Sequence, residues 1–231
     1  EHTVPAALRF FCPGFFPTMP RQRTWLFDLD NTLHDAEARI FPHLDRAMTA
    51  YIREHLAVDE ATADHLRALY WRRYGATLRG LVRHHGVDPA HFLQETHRIP
   101  ELRAHLIAEP GLAALLERLP GRKIIFSNAP AAYVQQVLAG LGIARCFAKV
   151  YCIEQLDYLP KPHAGAFLRL LQRERLAPRQ CILVEDTRAN LATAKRLGMK
   201  TVWIAPGTRR AACTDVRVTR LLDLPAHLGR L

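Results

Sequence analysis

The chain reads WLFDLDNTL from Trp25 to Leu33. Its apolar run stops abruptly at Asp28, and a second acid, Asp30, follows two residues later. Short apolar runs that end in turn-forming polar residues are typical of buried parallel strands. Ligands of open α/β sheets bind at the carboxyl ends of such strands. We therefore expect Asp28 and Asp30 at a solvent-facing strand end, pointing into a crevice.

Two carboxylates this close repel each other, and the pKa of one rises unless a cation lies between them. A hard divalent cation with oxygen ligands, most simply Mg²⁺, would remove the repulsion. One hypothesis is that Asp28 is a nucleophile and Asp30 an acid and base beside a metal ion. The alternative is a pair of turn aspartates after an edge strand, because Asp-x-Asp-Asn also suits turns. This stretch alone favours neither.

The 231-residue chain has an ordinary globular composition, with 49% hydrophobic and 23% charged residues. Its length suits one α/β unit with an insertion. No apolar run is long enough to cross a bilayer. The irregular N-terminal extension predicted for residues 1–23 lacks the continuous apolar core of a secretory signal. The five cysteines include no Cys-x-x-Cys pair, which favours a reducing compartment. We therefore expect a cytoplasmic protein without a membrane anchor.

The formal net charge is +10, from 32 basic and 22 acidic residues. Residues 36–110 are neutral, with ten of each sign, whereas residues 111–231 carry nineteen basic and eight acidic residues. Such an excess attracts anionic substrates or nucleic acid. No basic run is interleaved with aromatic residues, however, and this disfavours nucleic-acid binding. A solvated surface in an arginine-rich protein is the simpler interpretation.

The apolar periodicity changes along the chain. Residues 36–110 have helical spacing and no strand-like run, and they predict an inserted cap of about four helices. Two of these helices are expected to begin at Asp59 or Thr62 and at Asp88–Pro89.

The α/β catalytic core is predicted to comprise residues 24–35 and 111–231, in which strands and helices alternate. The later predicted strands lie at 123–126, 149–153, 181–184 and 201–204. The predicted helices between them lie at 131–141, 163–175 and 189–197. This alternation predicts a Rossmann-like parallel sheet with helices on both faces and right-handed crossovers.

Three of the predicted strands end in polar residues, and parallel strand ends meet at one edge of a sheet. These residues are Asp28 and Asp30, Ser127 and Asn128, and Glu185 and Asp186. Lys161 lies in a loop on the same edge, between Pro160 and Pro162, which stiffen its backbone. The sequence therefore predicts one site built from segments that are far apart in the chain.

The chemistry of this set is coherent. A carboxylate such as Asp28 can attack phosphorus and form an aspartyl-phosphate. Lys161 and the Ser127 hydroxyl would hold the phosphoryl oxygens. Asp186 would bind Mg²⁺ together with Asp28. Asp30 would protonate the leaving oxygen and then activate water.

Together these residues resemble the haloacid dehalogenase superfamily of phosphohydrolases, over about residues 24–206. The four motifs of that superfamily and the slot for its mobile cap are matched in order. They are Asp28 to Thr32, Ser127, Lys161, and Glu185–Asp186 with Asn190, and the insert follows the first motif.

The resemblance implies a nucleophilic role for Asp28 and an acid/base role for Asp30. It also implies Mg²⁺ bound by Asp28, the Asp30 backbone carbonyl and Asp186. The expected phosphate-binding residues are Thr32, Ser127, Asn128 and Lys161, and the expected supporting residues are Glu185 and Asn190. The dehalogenases proper lack the second aspartate of the first motif, so Asp30 favours phosphate chemistry.

Within the superfamily, residues 27–33, 70–75 and 78–81 most resemble the pyrimidine 5′-nucleotidase branch. There Asn31 stands where many relatives carry glycine, and His34 stands where tyrosine is frequent. We expect His34 to border the pocket. The resemblance implies hydrolysis of nucleoside 5′-monophosphates, with Tyr74 and Arg79 as candidates for the side that faces the base. Helix packing is the simpler interpretation of Tyr74.

Other functions fit the same motifs. A phosphatase for another small metabolite, such as phosphoglycolate or a sugar phosphate, would differ only in the cap. A mutase would use the same motifs, whereas a non-catalytic binding protein would be expected to lose Asp28, Asp30 or Lys161. The expected partner is a small phosphorylated molecule rather than nucleic acid or a membrane.

Overall fold

The computed structural model describes residues 23–207 and 211–231. The predicted extension at residues 1–23 lies outside this range, apart from Arg23. Among the described residues, no helix is both long enough and apolar enough to span a membrane.

Six parallel strands form one sheet in the order β3-β2-β1-β4-β5-β6. The strands are β1 (Thr24–Phe27), β2 (Arg122–Phe126), β3 (Lys149–Tyr151), β4 (Cys181–Glu185), β5 (Lys200–Ile204) and β6 (Val216–Val218). β1 is buried throughout and pairs on both sides, with Phe27 opposite Ile125 and Val184. The apolar run that precedes Asp28 is therefore a central strand, and the predicted parallel α/β fold is confirmed.

After β1 the chain forms four consecutive helices in the insert, and two of them begin where the sequence indicated. They are α1 (Phe41–Leu56), α2 (Glu60–Tyr74), α3 (Thr77–His85) and α4 (Pro89–Thr96). The Asp59 carboxylate accepts a hydrogen bond from the Thr62 N–H group at 2.8 Å and so caps α2. Asp88 caps α4 in the same way, and Pro89 occupies the first turn of that helix.

The remaining helices return the chain to the sheet and connect its strands. They are α5 (Leu102–His105), α6 (Leu112–Arg118), α7 (Ala131–Gly140), α8 (Ala164–Glu174) and α9 (Arg188–Arg196), followed by 3₁₀ turns at Leu221–Arg230. Side chains of successive strand residues point to opposite faces. Thus Phe27 packs with α6 and α7 on one face, and Leu26 packs with α8 and α9 on the other.

The insert has a hydrophobic core of its own, formed by α1 to α4. Ile52, Leu81 and Phe92 are buried in it, and Ile153 from the sheet side joins them. This separate core shows that the helices of the insert are held chiefly by one another. The domain boundaries proposed from the sequence stay a prediction.

Two strands differ from the sequence prediction. β3 ends at Tyr151 rather than at Ile153, because the Cys152 N–H group donates to the Gln155 side chain and the Ile153 N–H group to the Ala129 carbonyl. β6 was not predicted at all. It has only three residues, and Arg217 between its two valines breaks the apolar run.

Gly80 offers a test of how tightly α2 and α3 pack. A methyl group at this position would lie 2.1 Å from Cγ of Tyr70. Alanine usually stabilises a helix relative to glycine by about 1 kcal/mol. We nevertheless expect Gly80→Ala to lower the free energy of unfolding by about 1–3 kcal/mol, because the added atom overpacks the contact.

Urea unfolding followed by circular dichroism would measure this loss. Gly229→Ala is the control, since a methyl group there would meet nothing within 4 Å. Equal stability of the two variants would contradict the packing described for Tyr70.

Candidate active site

The site lies at the carboxyl ends of β1, β2 and β4, which are neighbours in the sheet. Lys161 reaches it from the loop that precedes α8. Its Nζ atom lies 2.7 Å from Oδ1 of Asp28 and 2.8 Å from Oε2 of Glu185. Asp28 is only 8% exposed and so lies deeper than a solvent-facing strand end. The structure thus brings together residues that are 133 positions apart in the chain.

Lys161 is 1% exposed, and a buried ammonium group needs charged partners. Burial lowers its pKa, but the negative charges of Asp28 and then of Glu185 outweigh that effect and leave the pKa raised. Burial also raises the pKa of Glu185, but the Lys161 charge and several hydrogen bonds leave it lowered. Lys161 and Glu185 therefore form a buried ion pair that stays charged at neutral pH.

The charged forms of the Asp28 and Asp186 carboxyls are less well stabilised than that of Glu185. Burial, followed by repulsion from Glu185, raises the pKa of Asp28. Burial and then the interaction with Glu185 raise the pKa of Asp186. Carboxylate oxygens of all three acids lie within 4.8 Å of one another. Because one lysine faces three acids, this cluster suits a bound cation with a preference for oxygen ligands.

Each carboxylate oxygen of Glu185 already accepts two hydrogen bonds. Its Oε1 atom accepts hydrogen bonds from the Asp186 and Thr187 N–H groups, both at 3.1 Å. Its Oε2 atom accepts from Lys161 and, at 2.9 Å, from the Asn190 amide. These contacts fit the supporting role predicted for Glu185 and Asn190. They leave Asp28 and Asp186 as the acids best able to hold a metal ion.

Asn128 makes two hydrogen bonds to the backbone of Lys161. Its Nδ2 atom donates to the Lys161 carbonyl at 3.0 Å, and its Oδ1 atom accepts from the Lys161 N–H group at 2.8 Å. This reciprocal pair fixes the backbone that carries the buried ammonium group. Direct phosphate binding by Asn128 stays a prediction, whereas its hold on Lys161 is a contact that the sequence did not suggest.

The two candidate hydroxyl groups lie beside Asp28. Thr32 Oγ1 is 3.4 Å from Asp28 Oδ2, and the Thr32 side chain is buried. The Ser127 hydroxyl accepts a hydrogen bond from the Ala129 N–H group at 3.0 Å. Its own proton therefore remains available for an anion, as the predicted phosphate-binding role requires.

The backbone conformation of Asn31 accounts for the asparagine in the first motif. Its φ angle is 59°, in the left-handed region that favours glycine and tolerates asparagine. Its side-chain oxygen accepts hydrogen bonds from the Ala36 and Glu37 N–H groups, both at 3.0 Å. Asparagine thus allows the turn that glycine would allow, and in addition it braces the start of the insert.

Two aromatic residues of the site were missed by the sequence analysis. The Tyr133 hydroxyl donates to Asp30 Oδ1 at 2.6 Å, and the Trp203 indole N–H donates to the Asp186 carbonyl at 2.8 Å. Both lie in apolar segments where an aromatic residue normally indicates core, so no sequence signal marked them. His34, which was expected to border the pocket, places its Nε2 atom 2.9 Å from Asp30 Oδ1.

The insert approaches the site through the turn between α2 and α3. Gly75 has a φ angle of +80°, and a Cβ atom there would lie 2.7 Å from Cδ of Pro162 and 3.0 Å from the Lys161 carbonyl oxygen. Arg79 is half-buried, and its charge helps burial to lower the pKa of His163 in the same loop. The Tyr74 hydroxyl instead contacts His84 at 2.6 Å. Of these two candidates for substrate contact, Arg79 is the one whose charge acts on the Lys161 loop.

The buried Glu185 carboxylate allows a test of the charge arrangement. We expect Glu185→Leu to lower the free energy of unfolding by about 3–5 kcal/mol, because it leaves Lys161 and two N–H groups without this partner. Glu185→Gln keeps the acceptor but removes the charge, so its loss should be intermediate.

Glu117→Leu is the control, because the Glu117–Arg145 pair is largely exposed, at 46% and 75% of the side chains. Its loss should be only about 0–1 kcal/mol. Urea unfolding of the three variants gives the comparison. Similar losses for Glu185→Leu and Glu117→Leu would contradict the importance assigned to the buried pair.

Several known proteins are similar to this chain. The family model of haloacid dehalogenase-like hydrolases matches residues 22–198. Phosphoglycolate phosphatase of Shigella dysenteriae is 29% identical over 82% of this chain and 84% of its own length. Hexitol phosphatase A of Escherichia coli is 28% identical over 77% and 81%. Phosphate metabolism protein 8 of Saccharomyces cerevisiae is 24% identical over 78% of this chain, but this chain spans only 60% of the yeast protein.

Solved structures share the fold. A HAD phosphatase from Thermococcus onnurineus superposes with a TM-score of 0.64 at 21% identity, over 90% of this chain and 98% of the other. The putative HAD-hydrolase YfnB from Bacillus subtilis, which was solved bound to magnesium, superposes with a TM-score of 0.60 at 19% identity, over 90% and 99%. The match of the family model over most of the chain establishes that this protein belongs to the haloacid dehalogenase-like hydrolases.

Proposed function

We propose that this chain is a Mg²⁺-dependent phosphomonoesterase that works through an aspartyl-phosphate on Asp28. The observation that carries the proposal is the buried Lys161 ammonium group, 2.7 Å from the Asp28 carboxylate. A phosphoryl group that reacts at Asp28 would bring its negative oxygens close to this fixed positive charge. Positioning and electrostatic stabilisation of that kind dominate catalysis of phosphoryl transfer.

Two aspartates supply the nucleophile and both proton transfers of the proposed reaction. An Asp28 carboxylate oxygen attacks phosphorus while the bond from phosphorus to the ester oxygen breaks, and Asp30 gives that oxygen a proton. Asp30 then takes a proton from a water molecule that attacks the phosphorus. The bond to Asp28 breaks, and inorganic phosphate and both free aspartates are regenerated.

Asp28 and Asp186 are the residues that would hold Mg²⁺, with the Asp30 backbone carbonyl as the third ligand that the family resemblance implies. Their raised pKa values reflect burial and crowding by Glu185, which a divalent cation would relieve. When bound, the ion would neutralise repulsion between the Asp28 carboxylate and the phosphate. Trp203 would support it by fixing the Asp186 backbone.

We propose a small phosphorylated metabolite as substrate, such as phosphoglycolate or a sugar phosphate. Support comes from the two bacterial relatives, a phosphoglycolate phosphatase and a hexitol phosphatase, which match over more than four-fifths of their own lengths. A pyrimidine nucleoside 5′-monophosphate is the second candidate. It is favoured by Asn31 in the first motif and by the likeness of residues 70–75 and 78–81 to the nucleotidase branch.

Phosphate release across a substrate panel tests both the reaction and the substrate. The panel holds phosphoglycolate, several sugar phosphates, UMP, CMP, AMP and GMP, each with Mg²⁺. We expect Asp28→Asn to lower turnover of the best substrate by about 10³-fold or more, because it removes the nucleophile. Asp45→Asn, an exposed surface change, should retain the wild-type rate.

Preference for phosphoglycolate or a sugar phosphate would support the first candidate, and preference for UMP and CMP the second. Wild-type rates in Asp28→Asn would overturn the aspartyl-phosphate route. No release from any ester would shift the proposal to a mutase or a non-catalytic binding protein.

Metal dependence gives an independent test. Chelation with EDTA should abolish phosphate release, and added Mg²⁺ should restore it. Trp203→Phe should raise the Mg²⁺ concentration for half-maximal activity by about 10–100-fold, because the Asp186 backbone loses its hydrogen bond.

Trp25→Phe is the matched control. The Trp25 indole N–H also donates to a backbone carbonyl at 2.8 Å, but the acceptor is Pro120 at the opposite end of the sheet. Equal Mg²⁺ dependence of the two tryptophan variants would argue against a role for Trp203 in the metal site.

A further inference from the structure

The side chain of Asp30 is held asymmetrically. Its Oδ1 atom accepts two hydrogen bonds, from the Tyr133 hydroxyl at 2.6 Å and from the His34 ring at 2.9 Å. Its Oδ2 atom has no hydrogen-bond partner within residues 23–207 and 211–231. The Asp30 side chain remains 17% exposed, so this second oxygen is the one left open to a ligand.

Both donors are rigid. Tyr133 is 1% exposed and lies in the first turn of α7, within the core cluster on one face of the sheet. Both carboxylate oxygens of Glu154 accept from the Ala131 N–H group, at 2.9 and 3.1 Å, and so fix the start of that helix. The Tyr133 hydroxyl is thus presented to Asp30 from a fixed position.

His34 is held as firmly. Its side chain is fully buried, and its backbone pairs with Asp30 in an isolated bridge. The Nδ1 atom is buried without a partner, so the hydrogen bond to Asp30 is the one polar contact that the ring makes among the described residues. Burial and this single hydrogen bond fix the orientation of the His34 ring relative to the Asp30 carboxylate.

We propose that His34 and Tyr133 are positioning residues that fix Oδ1 of Asp30 and thereby make Oδ2 the oxygen that exchanges protons during the reaction. This inference rests on the proposed phosphomonoesterase function. Oδ2 would give its proton to the leaving ester oxygen and later take one from the attacking water. A proton donor must lie within hydrogen-bond reach of its acceptor, and a misplacement of 1 Å can cost about 100-fold in rate.

The dependence of the rate on the leaving group separates this role from a structural one. A sugar or glycerol phosphate releases a basic alkoxide that needs a proton, whereas p-nitrophenyl phosphate releases a stable phenolate that does not. The value of kcat/KM covers the steps up to formation of the aspartyl-phosphate. It therefore reports protonation of the leaving group without a contribution from hydrolysis of that intermediate.

We expect Tyr133→Phe and His34→Leu each to lower kcat/KM for the alkyl ester by about 10–100-fold. For p-nitrophenyl phosphate, the factor by which kcat/KM falls should be about ten times smaller. His34→Gln should recover much of the loss, because its amide can donate near the position of Nε2. Tyr151→Phe is the matched control, since the Tyr151 hydroxyl also donates to a carboxylate at 2.6 Å, that of Glu174. It should leave the ratio between the two substrates unchanged.

Equal losses of kcat/KM on both esters, or no loss on either, would overturn the positioning role. The proposed function would still stand in that case, provided that the wild-type protein hydrolyses the esters. A His34→Gln variant as impaired as His34→Leu would likewise overturn the role of His34. Wild-type protein that hydrolyses neither ester would overturn the proposed function and this inference together. Circular dichroism of each variant ensures that the rates compare folded proteins.

Discussion

The site depends on one buried cation. Lys161 is sealed from solvent, and a buried ammonium group is tolerated only when opposite charges and hydrogen bonds surround it. Three separate strand ends supply them: Asp28 follows β1, Glu185 ends β4, and Asn128 after β2 fixes the Lys161 backbone. These strands are adjacent only because β1 lies between β2 and β4. The order of the sheet is therefore the structural condition for the ion pairs at its edge.

Besides burial, the same ion pairs influence the pKa values of the other acids. Because Lys161 keeps Glu185 ionised, Glu185 repels Asp28 and Asp186 and contributes to their raised pKa values. Such a cluster stores unfavourable electrostatic energy that a cation can release. The arrangement thus favours cation binding at Asp28 and Asp186. Candidate nucleophile and candidate metal ligand are one residue, Asp28, which couples the two functions.

The fold and the main residues of this site could be predicted because their signals are local. Apolar runs that end in acids mark strand ends, and parallel strands bring those ends together. The contacts of Asn128, Tyr133 and Trp203 could not be predicted, because each joins segments 17 to 103 residues apart. An aromatic residue in an apolar run looks like a core residue whether or not its hydroxyl or indole N–H group makes a functional hydrogen bond. β6 escaped prediction because three residues with a central arginine carry almost no periodic signal.

The acidic cluster around Lys161 and the helices of the insert are held by separate sets of contacts. The catalytic candidates lie at the sheet edge, whereas α1 to α4 have a hydrophobic core of their own. Substitutions on those helices are therefore expected to leave the pairs around Lys161 undisturbed. The exception is the turn at Gly75, where a side chain would meet Pro162 and the Lys161 carbonyl. At this turn the packing of the insert and the position of Lys161 constrain each other, so a change there would move both.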